Sequence, residues 1–379
     1  MQTTRPTEAS RRRRALPRAA ALALVLALAL SAAGFSGCAI EPTYTKYTYQ
    51  FYGTFDTLVQ FVGYAQTQGE FDAYAKQGEQ RFVALNKLFD IYHDYEGLNN
   101  AKTINDNAGV APVKVDKELI DLILLAKEWY AKTGGKCDIT AGPLTAVWKK
   151  YRDLAADDPA KAQVPPQAEL AEAASHRGID KVVVDEAAGT VYLQDGGMAL
   201  DLGAVAKGFT CEIVAKELEK AGMTSVIVDG GGNIRLVGRP NDGLRKRWGV
   251  GIQDPDGNPD KPDDTPLDIV FLHDMSFVTS GDYERFFTVD GVRYCHLVDP
   301  DTMQPARYFR AVGIVYPDSG VADFMSTTLF LLPYEQGRAL VESIPGMEAL
   351  WILEGDELRL TDGIKPYMKN AGGGSSSMS

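Results

Sequence analysis

Cysteine and histidine are both scarce in this 379-residue chain, with four residues of each. Cys38 stands near the N-terminus, and the other three thiols, Cys137, Cys211 and Cys295, are an odd number without a Cys-x-x-Cys spacing. This usage does not indicate a disulfide framework. Buried free thiols are the simpler interpretation, although one pair could bridge in an oxidising compartment.

Positive charge is also in deficit. The chain has 39 Lys and Arg against 51 Asp and Glu, and its formal net charge is −12. An acidic surface repels nucleic acids and anionic bilayers, so we expect no nucleic-acid partner. A phosphorylated ligand would need a local positive site or a metal ion.

The first 37 residues have the pattern of a secretory signal, with an Arg-rich start followed by an apolar run over residues 19–33. That run is short for a bilayer span. It ends at Phe35-Ser36-Gly37-Cys38, which resembles a bacterial lipobox with Phe35 in place of the usual Leu. We expect residues 1–37 to be a lipoprotein signal and Cys38 to be the lipidated residue, anchoring the protein to the outer face of a bacterial cell or inner membrane. A plain cleaved signal and an uncleaved anchor helix are the alternatives.

The remaining chain predicts an α+β fold of antiparallel strand pairs with helices between them, and no solenoid repeat or Rossmann fingerprint interrupts this pattern. We expect a polar tether over residues 38–46, one catalytic domain over 47–371 and a disordered tail over 372–379. Residues 92–107 are rich in Asn, Asp and Gly and predict a long loop.

The stretch from Met198 to Gly208 predicts a strand that runs into a helix. Small residues at such a corner leave main-chain N–H groups unpaired at the positive end of the helix dipole, which attracts anions. Lys207 adds a positive charge, and Asp201 could hold a ligand donor or help to hold a cation. The alternative is an ordinary corner with a surface Lys–Asp pair.

A second cluster begins a predicted helix over residues 321–332, for which Ser319 is the expected N-cap. Asp323, Ser326 and Thr327 lie at i, i+3 and i+4, so their oxygens share one helix face. Such oxygens suit Mg²⁺. The alternative is a dipole-favoured Asp with two hydroxyls bonded back to the helix.

His296 ends a predicted strand beside a loop, where it can reach a site as a proton acceptor. The alternative is a capping histidine bonded to Asp299. Two Gly-containing polar loops, Asp229–Asn233 and Thr279–Tyr283, are placed where a sheet could present them to the same cleft.

Six blocks in this order closely resemble the ApbE family of FAD:protein FMN transferases, whose domain is related to the T-fold. The blocks span nearly the whole mature chain and are Asp138-Ile139-Thr140-Ala141-Gly142-Pro143-Leu144 with Trp148, Asp201-Leu202-Gly203-Ala204-Val205-Ala206-Lys207-Gly208, Asp229-Gly230-Gly231-Gly232-Asn233, Thr279-Ser280-Gly281-Asp282-Tyr283, His296-Leu297-Val298-Asp299-Pro300, and Ala322-Asp323 with Ser326-Thr327.

The resemblance implies a reaction in which a Thr hydroxyl of an acceptor protein attacks the FMN phosphorus of FAD, and AMP leaves. It implies Mg²⁺ at the Ala204 carbonyl, Asp323, Ser326 and Thr327, where Ser326 replaces a common second Asp and would contact the ion through its backbone. It implies His296 as the proton acceptor, with Asp323 as the rival base. The residues that it implies in FAD contact are Asp201, Lys207, Asp138, Ile139, Thr140, Tyr92, Tyr52 and the Leu297 backbone.

Two other functions remain open with the same residues. Water could replace the Thr hydroxyl, which would make the protein an FAD pyrophosphatase, or the chain could be a flavin-binding lipoprotein without chemistry. The bulky Phe324 and Met325 in Asp323-Phe324-Met325-Ser326-Thr327 do not fit an acceptor motif of small residues between Asp and Thr. The acceptor is therefore expected to be a separate flavoprotein subunit or domain that carries a Thr flavinylation motif.

Overall fold

An eight-stranded sheet organises the part of the chain that the computed structural model describes, residues 43–257 and 265–376. The predicted signal and Cys38 lie outside these residues. In chain order the strands are β1 (Thr45–Thr54), β2 (Thr57–Ala65), β3 (Val113–Lys114), β4 (Val182–Asp185), β5 (Thr190–Leu193), β6 (Val226–Gly230), β7 (Asn233–Val237), β8 (Trp248–Ile252), β9 (Asp268–Leu272), β10 (Ser276–Gly281), β11 (Phe286–Val289), β12 (Val292–Cys295), β13 (Val298–Asp299), β14 (Gln304–Pro305), β15 (Ala311–Tyr316), β16 (Glu348–Ile352) and β17 (Leu358–Leu360).

Helices and smaller sheets pack around this sheet. The helices are α1 (Gln68–Phe89), α2 (Ala101–Asp106), α3 (Lys117–Lys132), α4 (Gly142–Asp157), α5 (Gln167–Ser175), α6 (Ala206–Ala221), α7 (Ser319–Phe330) and α8 (Tyr334–Glu342). In the region that the structure covers, no helix is long and apolar enough to cross a membrane.

The sheet order is β1-β2-β6-β7-β10-β15-β16-β17, and every neighbouring pair is antiparallel. Alternate residues of a strand point to opposite faces, so each strand contributes to two cores. On β15, Val312 and Ile314 pack with α7 in one core, and Ala311 and Val315 pack with β8 and β9 in the other. This architecture confirms the α+β prediction.

The apolar run that begins at Met198 is not a strand, contrary to the prediction. The chain there is held by a side chain instead: the Asn105 amide donates to the Leu200 carbonyl at 3.0 Å and accepts from the Leu200 N–H at 2.7 Å. Asn105 belongs to α2, which lies within the predicted loop 92–107 and begins with a capping box of Asn100 and Thr103. One amide thus supplies the pairing that a neighbouring strand would provide.

Ordered structure extends into both segments that were predicted to flank the domain, the tether and the tail. The first strand begins at Thr45, inside the stretch predicted as a tether. At the other end, the Ser375 carbonyl accepts from the main-chain N–H groups of Lys246 and Arg247 at 2.7 and 3.1 Å. The first part of the tail that was predicted to be disordered, residues 372–376, is therefore bonded to the domain through Ser375.

Gly208 lies where α6 crosses α7 at close range. A Cβ atom on Gly208 would lie 2.2 Å from the Ser319 carbonyl oxygen and 2.5 Å from the Asp323 Cβ. Because backbone blocks that position, we expect Gly208→Ala to lower the free energy of unfolding by about 1–3 kcal/mol, measured by denaturant melts. Gly69→Ala in α1 is the matched control, since its Cβ would meet nothing within 4 Å, and it should be neutral or slightly stabilising. Equal stability of the two variants would contradict this packing.

Candidate active site

Asp323 lies in α7, and the helix buries it to 3% exposure. The helix starts two residues earlier than predicted, and its N-cap is Asp318, whose side chain accepts from the Val321 N–H at 3.0 Å. The predicted N-cap, Ser319, is wrong because a carboxylate one residue earlier caps the helix and also interacts favourably with its dipole. The Ser319 N–H donates instead to Glu212 of α6.

The Asp323 carboxylate interrupts the normal start of α6. The N–H of residue i in a helix bonds to the carbonyl of residue i−4, which would pair Gly208 with Ala204. Here the Gly208 N–H donates to Asp323 Oδ2 at 2.8 Å, and no described residue donates to the Ala204 carbonyl. A buried carboxylate and a free carbonyl oxygen therefore lie at the same helix terminus.

The two hydroxyls on the Asp323 face of α7 differ in their availability. The Ser326 hydroxyl donates to the Asp323 carbonyl at 2.8 Å and lies 2.7 Å from Ser280 Oγ. Thr327 Oγ1 is 3.5 Å from Ser280 Oγ, too long for a good hydroxyl hydrogen bond. The Thr327 oxygen is thus available to a ligand, whereas Ser326 could contribute only its main chain.

These oxygens fit a hard cation. Among the described residues, no three His, Cys, Asp or Glu side chains form a metal-binding group. One carboxylate, one carbonyl and one hydroxyl leave room for retained water, which Mg²⁺ prefers and structural zinc sites do not use. The donor set of Asp323, Ala204 and Thr327 therefore suits Mg²⁺.

Three cationic side chains around His296 have no fixed partner, and two of them, Lys207 and Arg285, also act on the Asp323 carboxylate. Lys207, Arg285 and Arg152 form no side-chain hydrogen bond or ion pair with any described residue. Burial raises the pKa of Asp323, and the charges of Lys207 and Arg285 act in the opposite direction. Burial and the neighbouring Arg285 lower the pKa of Arg152. Cations that lie together and form no hydrogen bond with a protein carboxylate make a site for an anion.

His296 lies among the same three cations. Its Nδ1 is buried and has no hydrogen-bond partner in the described chain. Burial, followed by the charges of Arg285, Lys207 and Arg152, holds its pKa well below the ordinary value. The capping alternative is wrong, because the Asp299 carboxylate accepts from Lys136 at 3.0 Å and not from His296. The imidazole is therefore neutral near pH 7 and can accept a proton.

Asp201 is held by the loop at Ile139, by Thr145 and by its own turn. Its N–H donates to the Ile139 carbonyl at 2.8 Å, and its carboxylate accepts from Thr145 Oγ1 at 2.7 Å and from the Gly203 N–H at 2.9 Å. Thr145 belongs to α4, the helix that also carries Arg152. The predicted contact residues at 138–140 and 201 thus adjoin one another directly.

Asp138 and Thr140 shape their loop through local bonds. Asp138 Oδ1 accepts from the Thr140 N–H at 2.8 Å and the Thr140 hydroxyl at 2.6 Å. Burial raises the pKa of the neighbouring Cys137 thiol, and the charges of Asp138, Asp323 and Asp201 raise it further. Cys137 is therefore a buried, free thiol whose ionisation is disfavoured by acidic residues of three separate segments.

The remaining predicted contact residues lie differently. Tyr92 is 56% exposed; partial burial of its phenol and the charge of Asp201 raise its pKa, and the charges of Arg285 and Arg152 oppose this shift. Tyr92 is thus at the cleft. Tyr52 on β1 is 77% exposed, and no described interaction joins it to the site. The Leu297 carbonyl accepts from the Ala306 N–H at 3.0 Å and is therefore occupied within the fold.

Sequence reasoning missed Arg152 and Arg285. Weak signals were present: Arg285 closely follows the Thr279–Tyr283 block, and Arg152 is four residues after Trp148 on α4. Helical spacing places Trp148 and Arg152 on one face, and Trp148 packs against Phe287 of β11 at 6.2 Å between ring centroids. A lone arginine in a sequence does not reveal which side chains it will face.

The site combines a buried carboxylate and free oxygens with three cations and a neutral histidine. This combination is typical of enzymes that act on phosphate-bearing substrates. The ApbE family profile matches residues 45–351. The FAD:protein FMN transferase of Treponema pallidum is 37% identical over 74% of this chain and 80% of its own length. The corresponding Vibrio cholerae protein is 28% identical over 82% of this chain and 87% of its length.

The structural comparison agrees. The crystal structure of the ApbE protein of Thermotoga maritima superposes with a TM-score of 0.74 and 28% identity, covering 85% of this chain and 99% of that one. The chain belongs to the ApbE family, which confirms the resemblance drawn from its six sequence blocks.

Proposed function

We propose that this protein transfers the FMN moiety of FAD to a threonine hydroxyl of an acceptor flavoprotein and releases AMP. The observation that carries the proposal is that Lys207 and Arg285 act on the buried Asp323 carboxylate, and that the same two cations and Arg152 surround His296. Relatives named FAD:protein FMN transferase cover most of the chain. A diphosphate that joins two nucleotides is the anion these cations suit.

Substrate binding uses the unpaired cations. Lys207 and Arg285 would lie against the diphosphate near Asp323, and Arg152 would extend the positive surface toward Tyr92 and Asp201. Charge-assisted hydrogen bonds from arginine to phosphate are strong and directional. Tyr92 presents an aromatic face at the cleft mouth, where a flavin or adenine ring can stack.

Mg²⁺ would be held by Asp323, the Ala204 carbonyl and Thr327 Oγ1, and when bound it would neutralise charge on phosphoryl oxygens. The chain's own residues supply the remaining chemistry. The threonine oxygen bonds to the FMN phosphorus while His296 accepts the proton of the threonine hydroxyl. The bond from that phosphorus to the bridging oxygen breaks, and AMP departs with the electron pair. The product is a threonine–FMN phosphoester.

The test is incubation of the folded domain with FAD, Mg²⁺ and a domain that bears a threonine flavinylation motif. Fluorescent flavin that remains on the denatured acceptor, with one AMP per flavin, is the expected result. Release of FMN and AMP at the same rate without acceptor would indicate an FAD pyrophosphatase instead. FAD that binds tightly and is never cleaved would indicate a flavin-binding lipoprotein.

We also propose that Cys38 is lipidated and tethers the domain to the outer face of a bacterial membrane. The support is the sequence of the leader, with its Arg-rich start, apolar run and lipobox-like end. Cys38→Ser should move the full-length protein from the membrane fraction to the soluble fraction. Unchanged membrane association of that variant would rule out the lipid anchor.

A further inference from the structure

Asn233 places its side-chain amide against the Asp323 carboxylate. The residue is 1% exposed, and with its amide nitrogen facing the carboxylate it lies 3.0 Å from Oδ1 and 3.2 Å from Oδ2. The opposite orientation would set the amide oxygen against carboxylate oxygens, which are acceptors on both sides. The amide therefore donates to Asp323.

The backbone of Asn233 is fixed independently of this contact. Asn233 pairs with Val278 of β10, and its carbonyl accepts from the Cys211 thiol of α6 at 3.2 Å. It follows Gly231 and Gly232, whose φ angles of 69° and 81° are in the left-handed region that glycine tolerates best. The tight turn aims the amide at α7, and the sheet and α6 hold it there.

The two neutral donors leave part of the carboxylate free. An ionised carboxylate has about four lone-pair sites. The Gly208 N–H takes one on Oδ2 at 2.8 Å, and the Asn233 amide is closest to Oδ1. At least one site remains, which is what a metal ligand requires.

The chemical type of the donor matters. A lysine or arginine at position 233 would neutralise Asp323 and compete with a cation. An amide fixes the orientation of the carboxylate and keeps its negative charge available. Neutral hydrogen-bond partners of this kind orient metal ligands, and their loss typically costs 10–100-fold in metal affinity.

We propose that Asn233 is a positioning residue that holds Asp323 ready for a divalent cation shared with the Ala204 carbonyl and Thr327 Oγ1. The proposal rests on the proposed function for the presence of that cation. Asn233 touches neither the cation nor the substrate, and it acts only through Asp323.

The experiment measures Mn²⁺ binding by electron paramagnetic resonance on the FAD-free protein, with Mn²⁺ as a spectroscopic substitute for Mg²⁺. In Asn233→Asp the donor becomes a charged acceptor of equal size, and we expect the Mn²⁺ dissociation constant to rise about 10–100-fold. Asn233→Ala removes the donor without adding charge and should show a similar rise. In turnover assays, the Mg²⁺ concentration for half-maximal rate should rise more than the saturated rate falls.

Asn86→Asp is the matched control. Asn86 accepts from the Phe55 N–H through Oδ1 at 2.7 Å, and an aspartate retains that acceptor. It should bind Mn²⁺ as the wild type does. Thermal melts of all variants identify loss of fold, and if Asn233→Asp does not fold, the Ala variant decides.

Two results would overturn the assignment. Mn²⁺ affinity retained or increased in Asn233→Asp would mean that the amide oxygen, rather than the nitrogen, faces the cation. Unchanged affinity in Asn233→Ala would mean that the contact has no positioning role. Failure of the proposed function is distinct, because wild-type protein would then transfer no flavin or would do so without any divalent ion.

Discussion

Asp323→Asn is expected to lower kcat by about a thousandfold and to leave the fold intact. The substitution keeps the size of the side chain and an oxygen for the Gly208 N–H, but it removes the negative charge at the proposed metal site. A metal ion contributes several kcal/mol to phosphoryl-transfer transition states, and each 1.36 kcal/mol is tenfold in rate. Turnover of FAD at saturating Mg²⁺ measures the effect.

Asp318→Asn is the control on the same helix. It changes one carboxylate to an amide and preserves an N-cap of similar strength, so its turnover should match the wild type. If the Asp323→Asn variant turned over FAD as fast as the wild type at limiting Mg²⁺, Asp323 would not be a metal ligand.

His296→Gln is expected to lower kcat by about 10²–10⁴-fold, the usual contribution of a general base. Glutamine retains polarity but cannot accept the threonine proton. Binding of FAD, measured by calorimetry, should change much less than kcat. His176→Gln is the control, because His176 is bonded to Asp195 away from the cleft cations.

The acid–base behaviour of His296 gives this prediction a second readout. Burial and three cations lower its pKa, so the base of the free enzyme stays neutral as pH falls through the ordinary histidine range, and the acid limb of kcat/KM should lie below pH 6.5. Arg285→Gln removes one of those cations and should raise the imidazole pKa, followed by NMR in the ligand-free protein. A His296 pKa of 6.5 in the wild type, or a His296 pKa that Arg285→Gln does not change, would contradict the proposed effect of burial and the cations.

Local patterns predicted the parts of the fold whose causes are local. The amphipathic spacing of α6, which ends at Gly222, and the Asp290-Gly291 turn of the β11–β12 hairpin are local signals of this kind. The helix with Asp323 and Thr327 was predicted because i and i+4 positions share a face regardless of tertiary context. These elements follow from residues within one or two turns of each other.

The missed features depend on partners far away in the chain. The Asn105 side chain hydrogen-bonds to the Leu200 backbone, where a strand partner was expected. The two residues are 95 positions apart, and no sequence periodicity reveals a hydrogen bond over that separation. The cation set joins Arg152 of α4 to Arg285 after β10, and only folding brings them together. The N-cap was misplaced by one residue because Asp318 and Ser319 are both good caps, and packing against α6 selected between them.

The complete burial of α7 has a consequence for motion. Every residue of this helix is buried, so its amide protons should exchange only when the whole domain opens, among the slowest in the protein. The helix that supplies Asp323 and Thr327 then stays in place throughout turnover. We expect substrate entry and product release to involve the exposed side chains of Tyr92 and Arg285 and to leave α7 in place.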